Sequence, residues 1–272
     1  MAAADSVNER AQAIRAKIVR MAHAGRTPHV ASALSCADLV AALYFKVMHI
    51  DPGAPEDEGR DRFILSKGHG CMALYAALAE RGFFPEGLLD EYARDGGRLA
   101  EHPAPHCVPG VEMATGSLGH GLPLGAGLAL AAKIRQDSYR VFVLLSDGEC
   151  AEGSVWEAAL FARAQGLDKL VAVVDYNKYS AMGATSPYLE PLVEKWKAFG
   201  WSCLEVDGHS VDAVVAVLSR VPFEPSQPSA VIAHTVKGKG VSFMENDLEW
   251  HYRPPNDDDL KRALEEIKGR RP

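Results

Sequence analysis

Leu145-Ser146-Asp147-Gly148-Glu149 and, downstream, Asp175-Tyr176-Asn177-Lys178-Tyr179 each close an apolar, β-branched run. The runs are Arg140-Val-Phe-Val-Leu-Leu145 and Lys169-Leu-Val-Ala-Val-Val174, and both read as buried strands. Ser154–Ala164 between them reads as an amphipathic crossover helix. Strand, helix and strand make a βαβ unit whose two strands run parallel. Their carboxyl ends then lie side by side, where open α/β sheets bind ligands. Asp-Gly alone, or an Asn after a strand, reads as a turn. Paired across one βαβ unit, the Asp147 carboxylate and the Asn177 amide oxygen favour a metal site instead. Both are hard oxygen ligands, suited to an octahedral Mg²⁺ that also holds phosphate oxygens.

Outward from this unit, the spacing predicts helices over 6–24, 38–48, 70–81, 121–134, 189–199, 211–218 and 257–268. Further short strands are expected at 62–66, 203–206 and 230–235. The 121–134 helix is dense enough in Ala and Gly to be read as wholly buried. Residues 52–61 and 95–121 are loops rich in Gly and Pro, and a loop as long as the second is usually functional. The expected fold class is α/β, a doubly wound, mainly parallel sheet flanked by helices. One domain over 1–235 and a loop-and-helix tail over 236–272 are expected.

The 272 residues are 47% hydrophobic, enough for a full core and against disorder. A formal net charge of -7, with no Lys/Arg run longer than a pair, argues against nucleic acid or an anionic membrane surface as partner. Five scattered cysteines without a C-x-x-C pair suggest reduced thiols in a cytoplasmic protein, with Cys150 a buried structural thiol. The first ten residues carry no signal-peptide pattern, and no apolar stretch is long enough to span a bilayer.

Ser146-Asp-Gly-Glu149 with a downstream Asn177 resembles the thiamine diphosphate fingerprint GDG…N. Other stretches narrow the resemblance to the amino-terminal half of transketolase in its separate-subunit form. They are Thr27-Pro-His29 with Leu34–Asp38, Arg62–Gly70, Val108–Gly121, Leu192–Trp201 and Val236–Glu245. The resemblance covers about residues 20 to 255 and implies the thiamine diphosphate-binding fold, here its diphosphate-binding domain. It implies thiamine diphosphate and Mg²⁺ as cofactors, with Asp147, Asn177 and the Tyr179 carbonyl as metal ligands.

Gly116-Ser117-Leu118-Gly119 matches the loop on the cofactor's aminopyrimidine side. Gly148 lets the backbone approach the diphosphate without a Cβ, and Glu149 completes the cofactor-binding set. His69 matches a histidine near the diphosphate and reactive centre, and His29 one near the substrate. His102 and His251 match histidine-containing family segments, against the alternative of ordinary polar histidines. The Glu152 and Glu157 positions lie at the family's subunit contact and help relay protons between paired sites. Ser154-x-x-Glu157 also reads as a capping box for its helix. Lys237 and Lys239 read either as phosphate contacts or as solvated loop lysines.

The implied activity is transfer of a two-carbon ketol unit from a ketose (phosphate) to an aldose acceptor. In the family the glutamate that activates the pyrimidine comes from a second α/β domain of the neighbouring polypeptide. No second doubly wound unit is read after residue 235. A carboxyl-terminal transketolase-type partner in an α2β2 assembly is therefore expected, acting on sugar or sugar-phosphate substrates. Departures are Ser146 for the first fingerprint Gly, the crowded Val30-Ala-Ser-Ala33 after His29, and a missing family histidine near 95–98. Competing readings are the α subunit of a 2-oxo-acid dehydrogenase or decarboxylase, a non-catalytic cofactor-binding homologue, and a generic nucleotide-binding domain. The last lacks a G-x-G-x-x-G after a strand.

Overall fold

The computed structural model describes residues 6–269; Met1–Asp5 of the start and residues 270–272 of the tail lie outside them. In chain order the elements are α1 (Val7–Gly25), α2 (Val30–Ser35), α3 (Ala37–Ala42), β1 (Arg62–Leu65), α4 (Cys71–Arg81), α5 (Gly121–Arg135) and β2 (Val141–Ser146). There follow α6 (Gly153–Ala164), β3 (Leu170–Tyr176), β4 (Tyr179–Ser180), β5 (Gly183–Ala184), α7 (Ser186–Leu189) and α8 (Leu192–Ala198). The last are β6 (Ser202–Asp207), α9 (Val211–Leu218), β7 (Ser229–His234) and α10 (Asp257–Gly269).

The five main strands form one parallel sheet in the order β1-β2-β3-β7-β6. Helices cover both faces because side chains alternate along each strand. Phe142, Leu144, Val171 and Val173 join one core with α1, α3, α4 and α9. Val141, Val143, Leu145, Ala172 and Val174 join the other with α5, α6 and α8. A doubly wound sheet follows from that alternation. The tail packs on the first of these cores, where Val241, Met244, Trp250, Ala263 and Ile267 are buried.

The sequence pattern misplaced three details. The expected 38–48 helix is α3 continued by a wider π turn at Leu43–Val47. Helix α5 is only half buried: Leu124 and Ile134 are 38% and 74% exposed. Its small residues mark a close approach to the sheet, since a Cβ on Gly125 would stand 2.5 Å from Val143 Cγ2. The capping box at Ser154 is absent: Glu152 is the N-cap of α6, and the Ser154 hydroxyl donates instead to the Gly119 carbonyl at 2.9 Å. Reciprocal boxes form instead between Ser6 and Glu9 at the start of α1 and between Asn256 and Asp259 at the start of α10.

All five cysteines are free, and Cys150 is buried. Among the described residues no helix is long and apolar enough to cross a membrane.

Candidate active site

Strands β2 and β3 run in register so that Ser146 lies opposite Asp175. Asp147 and Asn177 therefore leave adjacent strand ends one and two residues further on. Both are buried, Asp147 completely. Asp147 Oδ1 accepts the Gly148 N–H at 2.9 Å, and Oδ2 accepts the Lys178 N–H at 2.8 Å and the Thr185 hydroxyl at 2.7 Å. Asn177 Oδ1 accepts the Tyr179 N–H at 3.1 Å, while its amide donates to Ser35 Oγ at 3.3 Å. Lys178 between them holds φ at 71°, a left-handed conformation uncommon outside glycine. That turn aims its N–H at Asp147 and fixes both oxygens beside one loop. Burial pushes the Asp147 carboxyl up to about 6, with the Thr185 hydroxyl opposing the rise.

Beneath them lies a buried ion pair that pattern alone does not reveal. Lys67 Nζ donates to Asp175 Oδ2 at 2.5 Å and to the Ser32 carbonyl at 2.8 Å, and both side chains are fully buried. Ser35 donates to the same carboxylate at 2.5 Å, and the Thr235 hydroxyl donates to its other oxygen. Burial alone would lower the Lys67 ammonium, but Asp175 overrides it and holds it above its usual value. Asp175 is likewise held below the carboxylate range by Lys67, against the effect of burial. The available signal was an Asp closing a wholly apolar strand, which needs a buried cation.

A cavity of about 580 Å³ opens at these strand ends. His29, His69, His102 and His251 all line it, with Gly116, Leu118, Gly148, Glu152, Asn177 and Tyr179. The rings of His29 and His69 are 5.2 Å apart, and those of His29 and His251 are 4.9 Å apart. Burial, reinforced by His102 and Lys237, lowers His29 to about 4. Burial, with Lys237 and His29, lowers His251 to about 3. Burial and Lys67 hold His69 well below its usual value. These three rings are neutral near pH 7. Lys237 is 1% exposed, so the solvated-loop alternative does not hold for it. His29 is an N-cap in the left-handed region, φ 68°, and such strain collects at functional sites. Its backbone N–H donates to the His251 carbonyl at 2.9 Å, tying two cavity walls together.

Other expected residues lie elsewhere. Glu149 is buried and ties loops together instead of facing the cavity: it accepts the Gly119 N–H at 2.8 Å and the Ser66 hydroxyl. Asp147 and Ser117 are not among the lining residues either, although both their neighbours at Gly148 and Leu118 are. Glu157 is exposed on α6, outside the cavity. Met182, Tyr188 and Tyr252 line the cavity while 91%, 44% and 61% exposed, and no spacing or motif in the sequence marks them.

Glycines let the walls approach. A Cβ on Gly116 would come 2.8 Å from His102 Cδ2, and one on Gly148 would meet Ser180 Cβ at 3.1 Å. One on Gly68 would strike the Gly116 nitrogen and Thr115 carbonyl carbon at 2.7 Å. Backbone cannot yield as a side chain can. Gly68→Ala is therefore expected to cost about 1–3 kcal/mol and to part the two loops. Chemical denaturation checks it; an unchanged midpoint would show that the loops separate freely.

The structure thus defines a doubly wound α/β protein with a ligand cavity at the strand carboxyl ends. The chain belongs to the transketolase family: the family described as "Transketolase, thiamine diphosphate binding domain" matches residues 6–270. It is 42% identical over 268 residues to one of the apulose-4-phosphate transketolase subunits of Actinobacillus succinogenes, covering 97% of this chain and 96% of the relative. It is 43% identical over 242 residues to the 6-deoxy-6-sulfo-D-fructose transketolase subunit SqwG of a Clostridium species, covering 88% of each. Transketolase from Leishmania mexicana superposes with a TM-score of 0.90 at 28% identity, over 98% of this chain. The chain spans 42% of that longer protein.

Proposed function

We propose that this chain is the amino-terminal subunit of a two-component transketolase that holds thiamine diphosphate and Mg²⁺. The carrying observation is the convergence of Asp147 and Asn177 on one loop at the edge of a cavity walled by four histidines. Among the described residues no group of three or more His, Cys, Asp or Glu gathers as a metal cluster. One carboxylate, one amide oxygen and the Tyr179 carbonyl are the donor set of a hard cation that keeps room for phosphate oxygens. Gly148 fits the same reading, because its missing side chain leaves the loop low beside Ser180.

When bound, the cofactor supplies the carbanion chemistry that moves a two-carbon ketol unit from a ketose to an aldehyde. The chain's own residues hold the diphosphate, orient the substrate and exclude water. Neutral His29, His69 and His251 offer hydrogen bonds to sugar hydroxyl and carbonyl oxygens, and His102 lines the opposite loop beside Gly116. Gly116-Ser117-Leu118 meets the cofactor's pyrimidine side. Asp175 neutralises Lys67, so Lys237, buried with no salt bridge among the described residues, is the cation that favours an anionic cofactor or sugar phosphate.

A carboxyl-terminal transketolase subunit supplies the pyrimidine-activating glutamate. Two relatives covered along nearly their whole length carry subunit names, which supports that division. The docking face is the exposed side of α5 and α6. It presents Leu124, Ile134, Leu160 and Phe161, with Glu152 and Glu157 beside them. Such a face suits an α2β2 assembly, in which Glu152 and Glu157 meet the neighbouring copy.

Calorimetric titration of thiamine diphosphate into the chain together with its partner tests the metal role. Affinity should require Mg²⁺ and fall as pH drops through about 6, where Asp147 takes up a proton. The sign follows from burial: a carboxyl raised to about 6 is ionised above that pH, and below it the metal must compete with protons for the carboxylate. Equal affinity in EDTA and in Mg²⁺ would remove the metal site.

A further inference from the structure

Lys237 is a buried cation with no carboxylate at salt-bridge distance. Among the described residues no salt bridge involves it, and its Nζ lies 2.7 Å from His251 Nδ1. We propose that Lys237 is a positioning residue that fixes the His251 ring as its neutral Nε2–H tautomer. The cavity then meets a hydrogen-bond donor at that point and not a base.

An ammonium has three donors and no acceptor, so the nitrogen facing it must be the unprotonated one. In a neutral imidazole the proton then sits on the other nitrogen. The charge states support this: burial and Lys67 lower the Lys237 ammonium only to about 8, opposed by the more distant Asp147 and Asp175 carboxylates, and His251 stays neutral. The ring has little freedom to turn round. It is 7% exposed and packs edge-on against Tyr252 at 4.8 Å and against His29 at 4.9 Å. Its carbonyl accepts the His29 N–H at 2.9 Å.

Lys237 is pinned as well. The Gly238 N–H donates to the Ala31 carbonyl at 2.9 Å, and Gly238 holds φ at 80° with no space for a Cβ, which would stand 2.2 Å from the Met244 carbonyl oxygen. Two anchored backbones thus set one lysine against one ring nitrogen. The Nε2–H is left for an acceptor in the cavity, such as a substrate hydroxyl or carbonyl oxygen. That last assignment rests on the proposed ketol transfer; the tautomer itself does not.

The test uses the full chain labelled with ¹⁵N at histidine, without cofactor or partner. Long-range ¹H–¹⁵N correlation at pH 7, with His251 assigned by its loss in His251→Gln, reads the protonation of each ring nitrogen. The expected result is a bare Nδ1 and a protonated Nε2 in the native chain, kept in Lys237→Arg. In Lys237→Met the population should shift measurably toward Nδ1–H. A native spectrum with Nδ1 protonated overturns the proposal, and needs no variant to fold. So does a Lys237→Met chain with native amide shifts and unchanged His251 nitrogens. Absence of ketol transfer would sink the proposed function while leaving this result standing.

Discussion

Lys67→Met is expected to destabilise the chain by about 3–5 kcal/mol, because it strands a fully buried carboxylate. Asp175 keeps Ser35 and Thr235 as hydroxyl donors, but neither carries charge, and water does not reach it. The wild-type pair itself contributes little net stability, since two desolvated ions offset most of their attraction. The asymmetry is what the experiment reads. Lys67→Met alone should lower the denaturation midpoint steeply, and Lys67→Met with Asp175→Asn should recover most of the loss. Asn keeps its oxygen for one hydroxyl and offers its N–H to the other, which turns to accept, whereas an apolar residue would leave both unpaired. A single variant within about 1 kcal/mol of wild type, on the scale of a surface pair, would mean the pair is hydrated.

Asp147→Ala is expected to reduce Mg²⁺-dependent thiamine diphosphate affinity by at least about 100-fold, more than loss of an outer-shell partner typically costs. The alanine also leaves the Lys178 N–H and the Thr185 hydroxyl without their acceptor, at about 1–3 kcal/mol of stability. Asp147→Asn separates the two effects. It retains an oxygen for those donors and removes the charge, so it should lose the metal-dependent affinity with a smaller change in stability. Cofactor titration beside a denaturation curve gives both numbers. Full affinity in Asp147→Asn would place the metal elsewhere.

The sheet was legible because buried parallel strands are short β-branched runs, and here each ends at a turn residue. Helix α9 spans Val211–Leu218 as its spacing predicts, because its apolar positions recur on one helical face that packs on the core. Lys67 gave no sign of being a buried ion, since a lysine before Gly-His reads as solvated until the fold places Asp175 against it. Ser154 misled for a related reason: the helix starts earlier, after Glu152, and the Ser154 hydroxyl within its first turn donates to the carbonyl of Gly119, far away in sequence. Small residues in α5 reported its closeness to the sheet but not the solvent on its other side. The cavity histidines come from four separate segments, so spacing alone cannot unite them. Their resemblance to transketolase segments named them, and the strand-end topology brings them to one cavity. The tie from Lys237 to His251 depends on a turn at Gly238 that has no sequence period at all.

The decisive measurement is ketol transfer by purified components. The chain is mixed with thiamine diphosphate, Mg²⁺, a ketose donor and an aldehyde, with and without a carboxyl-terminal transketolase subunit. The proposed half-site, which draws the pyrimidine-activating carboxylate from its partner, is expected to yield product only when both polypeptides are present. Sustained turnover by the 272-residue chain alone would contradict it.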